Sequence, residues 1–112
     1  MSIKVEILKY NVKDKQNDIF PPNSIDFSEY MKCPVITKNF DNVQPPIGKT
    51  NKIIDTNKSL FAIVEFNKHI EEIERGLDKG IYCIRPTLIK KPNNQYEILD
   101  FSLILKENDV YY

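Results

Sequence analysis

Cys83 is the residue whose type best suits covalent chemistry. It sits inside the run KGIYCIRPTLI, residues 79–89. A thiolate is a strong nucleophile, but it forms near neutral pH only where a cation, a helix N-terminus or a histidine depresses the thiol pKa. The neighbours Tyr82 and Ile84 offer none of these. In a strand whose alternate residues are buried, Cys83 is expected to behave as a small core hydrophobe. The chain has one histidine, His69, so any Cys–His or Ser–His pair must use it. Within NKHIEEIER it falls on the helical face of Glu72, away from Ile70 and Ile73, and reads as a solvent-exposed helix residue.

No other constellation is complete. Cys33 and Cys83 are too few for a disulfide framework, and without a CxxC pair there is no zinc ligand set. The stretch PPIGK lacks the GxxxxGK[ST] spacing of a phosphate loop, so Gly48 is expected to serve a turn. Asp14, Asp18 and Asp41 lie scattered in loops, without the spacing of a calcium or magnesium site. EEIER reads as a solvated helix face with local ion pairing. No cofactor and no metal is expected. Tyr10, Phe20, Phe27, Tyr30, Phe61, Phe66 and Phe101 are read as core rather than as a base-stacking platform.

These residues must be positioned by a small set of elements. IKVEILKY alternates, with Ile3, Val5 and Ile7 on one face, and reads as a strand with one wet face. NVKDKQND is a polar loop, and Pro21 and Pro22 force an extended path after it. SIDFSEYMK fits a short helix capped by Ser24, with Phe27, Tyr30 and Met31 on one face. CPVITKNF reads as a buried strand. KIID and SLFAIVEF form a hairpin around the turn TNK. The period then changes: Phe66, Ile70, Ile73 and Leu77 recur at helical spacing, predicting a helix over about 67–79, capped by Asn67 and stopped at Gly80. IYCIRPTLIK and YEILDFSLIL are two more strands joined by KPNNQ, with Pro86 marking an edge or a bulge. The expected fold class is α+β: a mostly antiparallel sheet or small barrel with one main helix, spanning 1–112 as a single domain.

Composition narrows the function. The 112 residues are 41% hydrophobic and 29% charged, with 16 basic and 16 acidic side chains. A zero net charge gives no general pull toward nucleic acid or an anionic membrane, and little repulsion against self-association. MSIKVEILKYNVKDK has no apolar core after a basic start, so no signal peptide is expected. No apolar run approaches the roughly 18 residues of a membrane span. Lysine far outnumbers arginine and isoleucine and asparagine abound, a composition that suits a low-GC genome.

Four stretches, taken in order, resemble the prohead (capsid maturation) proteases of tailed phages, which share a fold with herpesvirus assembly proteases. VKDKQNDIFPPNSI resembles the family's acidic turn with a proline beyond it. PVITKNFDNVQPPIGKTNKIIDTNKSLFAIVEF resembles its central block of strand, histidine-bearing segment, PIGKV and hairpin. IERGLDKGIYCIRP is similar to the helix, glycine and GLSIGF-type strand that carries the nucleophilic serine. ILDFSLIL is similar to the EISLV-type last strand. The match covers about residues 3–105.

The departures fall on the catalytic positions. The family's histidine slot lies within residues 38–41, where Asn39 stands and no histidine occurs. The serine slot falls at Tyr82, or at Cys83 if the register slips by one. Asp100 matches the acidic position of the last strand. Without the slot histidine nothing evident takes the nucleophile's proton, and the triad logic fails.

The resemblance therefore implies a non-enzymatic protein with a prohead-protease-like fold. The expected role is that of an auxiliary or decoration protein that binds and stabilises the capsid of a tailed phage, such as a crAss-like phage. It would be made in the host cytoplasm and reside on the capsid exterior. Expected partners are the major capsid protein and other copies of the chain, not nucleic acid or membrane. Val110, Tyr111 and Tyr112, with the loops at Pro21–Pro22 and Pro45–Pro46, are the interface candidates. The rival readings are a diverged maturation protease using Cys83 and a small phage-encoded binding or regulatory module.

Overall fold

A computed structural model describes residues 2–28, 35–38 and 46–112. Its strands are β1 (Ser2–Lys9), β2 (Ile25–Asp26), β3 (Val35–Lys38), β4 (Gly48–Asp55), β5 (Ser59–Phe66), β6 (Tyr82–Lys90) and β7 (Tyr96–Leu105), with one helix, α1 (Ile70–Asp78), between β5 and β6. The fold is mixed α+β and mostly antiparallel. One half runs β1–β5–β4 and is antiparallel throughout. In the other, β6 pairs antiparallel along the length of β7, whose opposite edge takes the short β2 and β3 in parallel. The halves join where β3 meets β4, through Val35↔Lys49 and Ile36↔Gly48.

The core fills the space between the halves. Leu60, Ala62, Val64 and Phe66 alternate inward along β5 and meet Ile36, Ile84, Phe101 and Leu103. Tyr10 and Phe20 are also buried. Burying each large side chain contributes roughly 1.5–3 kcal/mol. Both expected hairpins form, and Pro86 sits on β6, an edge strand whose register shifts just beyond it between Thr87 and Leu88.

Three expectations are corrected, and others fall on residues that are not described. The alternation of β1 breaks at a bulge between Glu6 and Leu8, so Ile7 and Leu8 are both fully buried; the extra residue turns two consecutive side chains inward. Ile25 and Asp26 are strand, not helix, because Tyr96 N–H bonds the Ser24 carbonyl and draws the segment onto β7. Tyr30 and Met31 of the expected helix lie outside the described residues, as do Cys33 and Asp41. Gly48 lies within β4, opposite Phe66, rather than in a turn.

Helix α1 starts later than its pattern suggests. Asn67 N–H bonds the Ile47 carbonyl and so prolongs the β4–β5 ladder. His69, not Asn67, is the N-cap, held in the left-handed region at φ 53°. Ile73 is buried and Leu77 partly so, while Ile70 is 38% exposed and leaves the expected apolar face incomplete. The stop is as expected. Gly80, at φ +72°, lets its own N–H bond Leu77 O and Ile81 N–H bond Gly76 O, a Schellman closure. Gly76 meets the ring of Tyr82, where an added Cβ would lie 2.0 Å from Cδ2.

Candidate functional site

The free edges of the two halves, β1 and β6, face each other, and no backbone ladder joins them among the described residues. Between them lies a cleft of about 340 Å³ lined by Val5, Glu6, Tyr82, Cys83, Arg85 and Lys106, among others. The seam is bridged by side chains and by the segment after β7. That segment passes through a short 3₁₀ turn, Lys106–Asn108, and brings Asp109 against Arg85.

Arg85 and Asp109 are both almost fully buried. Arg85 Nε donates to Asp109 Oδ1 and Oδ2 at 3.2 and 3.1 Å, and Nη2 to Oδ2 at 3.0 Å. Arg85 Nη1 reaches across the seam to the Glu6 carbonyl at 3.1 Å. Lys106 Nζ and the Tyr111 N–H complete the shell of Asp109 at 2.8 and 2.9 Å. Burial works against the charge on Asp109, but the bonds from Arg85, Lys106 and Tyr111 outweigh it and hold the carboxyl well below the ordinary carboxylate range.

The interface candidates Tyr111 and Tyr112 belong to this same arrangement. Tyr111 Oη donates to the Pro86 carbonyl at 2.8 Å, and burial pushes its pKa up to about 12. Tyr112 Oη accepts from Lys9 N–H and donates to Lys9 O, both at 2.9 Å. It thereby occupies the strand-edge groups that a neighbouring strand would use. The Arg85 guanidinium stacks over the Tyr112 ring at 5.2 Å. Lys15 pins the segment from the other side, through Nζ to Asp109 O and N–H to Tyr111 O. Val110, between these anchors, is 44% exposed.

Among the described residues, the family-derived catalytic slots Cys83 and Asp100 lie apart along the β6–β7 pair. Cys83 is buried opposite Ile104, and desolvation raises its thiol pKa against the pull of Arg85. Asp100 is buried opposite Thr87, four residues back along β7, about 13 Å at strand rise. Its Oδ1 has no hydrogen-bond partner among the described residues. Tyr82 has its ring against Gly76. Asn39 and Pro45 lie outside the described residues.

His69 opens onto a different cavity from Cys83. This one, about 500 Å³, lies between α1 and the end of β7. Ile47, Ile73, Tyr82 and residues 103–105 of β7 wall it, and His69, Glu72 and Asn108 supply its polar groups. A third feature is an exposed apolar rim. The loop 11–20 folds back on itself, with Asn11 N–H bonding Phe20 O and Asp14 N–H bonding Asp18 O, and it carries Val12 and Ile19. Val12 and Ile19 are 43% and 56% exposed, and Pro21, Pro22 and Pro46 are exposed as well.

Sequence reasoning missed Arg85 and Asp109. One signal was present: Arg85 is a lone charge inside an apolar strand, and a buried arginine requires a carboxylate partner.

Compared with known proteins, the chain matches no family model, no curated protein and no solved structure. The resemblance to the prohead proteases accordingly rests on the four sequence stretches alone.

Proposed function

We propose that this chain is a non-enzymatic structural protein of a tailed-phage virion, an auxiliary or decoration protein on the capsid exterior. Its partners are the major capsid protein and neighbouring copies of the chain. The observation that carries this reading is the apolar rim. Val12, Ile19 and Val110 are all more than two-fifths exposed, and Lys15 ties the loop that carries the first two to the segment that carries the third. Exposed apolar side chains are ordinary when single; several on two segments tied to each other suit a surface that a partner covers. The four sequence stretches that resemble a capsid-associated family agree with that reading, and the dispersal of Cys83, Asp100 and His69 favours binding over catalysis.

The test is the protein content of purified particles of the encoding phage, with co-sedimentation of the isolated chain on capsids stripped of it. The chain is expected in particles, and wild type is expected to bind where Val12→Asp/Ile19→Asp does not, with both melting alike. Absence from particles together with failure to co-sediment refutes the reading. Cleavage of a scaffold-derived peptide, abolished by Cys83→Ser, would put the maturation protease in its place.

A further inference from the structure

The geometry points to the cavity between α1 and the end of β7 as an anchor pocket for a partner polypeptide, taking an apolar side chain that stands next to a lysine or arginine. Only the identity of that partner rests on the capsid-binding reading; the recognition chemistry stands on the cavity.

Its volume, about 500 Å³, lies within the roughly 300–1,000 Å³ of ligand-binding clefts. Among the described residues the apolar walls are aliphatic apart from Tyr82, whose ring lies against the α-carbon of Gly76. An apolar side chain entering such a pocket leaves water for a preformed surface, as an interface anchor does. Leu105 and Ile70, 39% and 38% exposed, extend apolar surface around α1 and the end of β7.

Charge selects the neighbour of that anchor. Among the described lining residues Glu72 is the one with a formal charge, and it takes part in no ion pair among the described residues. An incoming carboxylate would meet Glu72, whereas an incoming ammonium or guanidinium would pair with it. His69 lines the same cavity, and with Asn108 can hydrogen-bond the partner's main chain. A polypeptide supplies both an apolar anchor and an adjacent cation together with that main chain.

The experiment records amide NMR spectra of the whole chain on titration with acetyl-Gly-Trp-Lys-Gly-amide, its acidic twin acetyl-Gly-Trp-Glu-Gly-amide, and tryptamine. The lysine peptide is expected to shift the amides of residues 69–73, 82 and 103–105. It should bind about two- to fivefold more tightly than the glutamate peptide, the ratio that one exposed ion pair supplies. Glu72→Gln should abolish that ratio without removing binding. Absence of shifts, shifts elsewhere, or equal binding of both peptides to wild type overturns the proposal. Binding of tryptamine alone makes the cavity a small-molecule site, and concentration-dependent shifts of the same amides without peptide make the occupant a second copy; either also overturns it. Capsid co-sedimentation of Glu72→Gln separates the two readings. Unchanged capsid binding despite a positive peptide titration leaves the apolar rim as the capsid contact, while loss of the peptide result leaves the capsid reading untouched.

Discussion

Arg85 and Asp109, 24 residues apart, meet as a buried pair in which Nε and Nη2 of the arginine share one carboxylate. The same guanidinium bonds the Glu6 carbonyl, so one side chain links β6, β1 and the segment after β7. Such a pair is weak evidence of net stabilisation, since its desolvation is costly, but removal of one partner leaves a buried charge uncompensated.

Asp109→Asn should therefore destabilise the fold by about 3–5 kcal/mol near neutral pH, read by urea denaturation. The pH dependence has a definite sign. The carboxyl of Asp109 is held below its unfolded value, so its contribution is complete above the ordinary carboxylate range and is lost as pH falls toward the depressed folded value. The gap between wild type and Asp109→Asn should narrow steadily below about pH 4. A gap that stays constant down to pH 2 would show that Asp109 does not titrate as placed.

Gly76→Ala should destabilise by about 1–3 kcal/mol, because the new methyl group meets the Tyr82 ring. A glycine-to-alanine change in a free helix would act the other way, by about 1 kcal/mol. The sign of the change in thermal midpoint decides between them, and in a double-mutant cycle the cost of Gly76→Ala should largely vanish when measured in a Tyr82→Ala background.

Native Cys83 should react slowly with a thiol reagent at neutral pH, since burial raises its pKa. Deleting Tyr111 and Tyr112 removes the bonds to Pro86 and Lys9 and should accelerate labelling of Cys83 by tenfold or more, on the order of 1.4 kcal/mol of local opening. The experiment belongs in a Cys33→Ser background. Equal labelling rates in the two proteins would mean that these tyrosines do not guard the seam.

What the sequence discloses depends on how local the cause is. The two hairpins follow from alternation and turn residues only a few positions apart. The end of α1 is legible at Gly80, whose left-handed backbone closes the last turn. Its start is not, because the bond from Asn67 N–H to Ile47 O comes from outside the helix's own pattern. The bulge at Ile7 is equally hidden, since ILKY alternates no less well with its register shifted. Arg85 announces a need for a partner, yet nothing near it says that Asp109 supplies one. The cavity beside α1 is assembled from four separate stretches, with no spacing that betrays it. Tyr111 and Tyr112 read as docking residues because they flank the strands with no core periodicity; in the fold their hydroxyls are committed within the chain.

The bond between Lys9 and Tyr112 spans 103 residues, and this fixes an order of events during synthesis. A ribosome adding about 5–20 residues per second releases β1 roughly 5–20 s before the residue that guards its edge exists. Throughout that interval the strand is paired at most on its β5 side, and its other side can recruit a β1 from a neighbouring nascent chain on the same message. Lys4, Glu6 and Lys9, spaced along a strand that is otherwise mostly apolar, act as gatekeepers for that window: they make a mispaired edge less favourable until the tyrosine arrives.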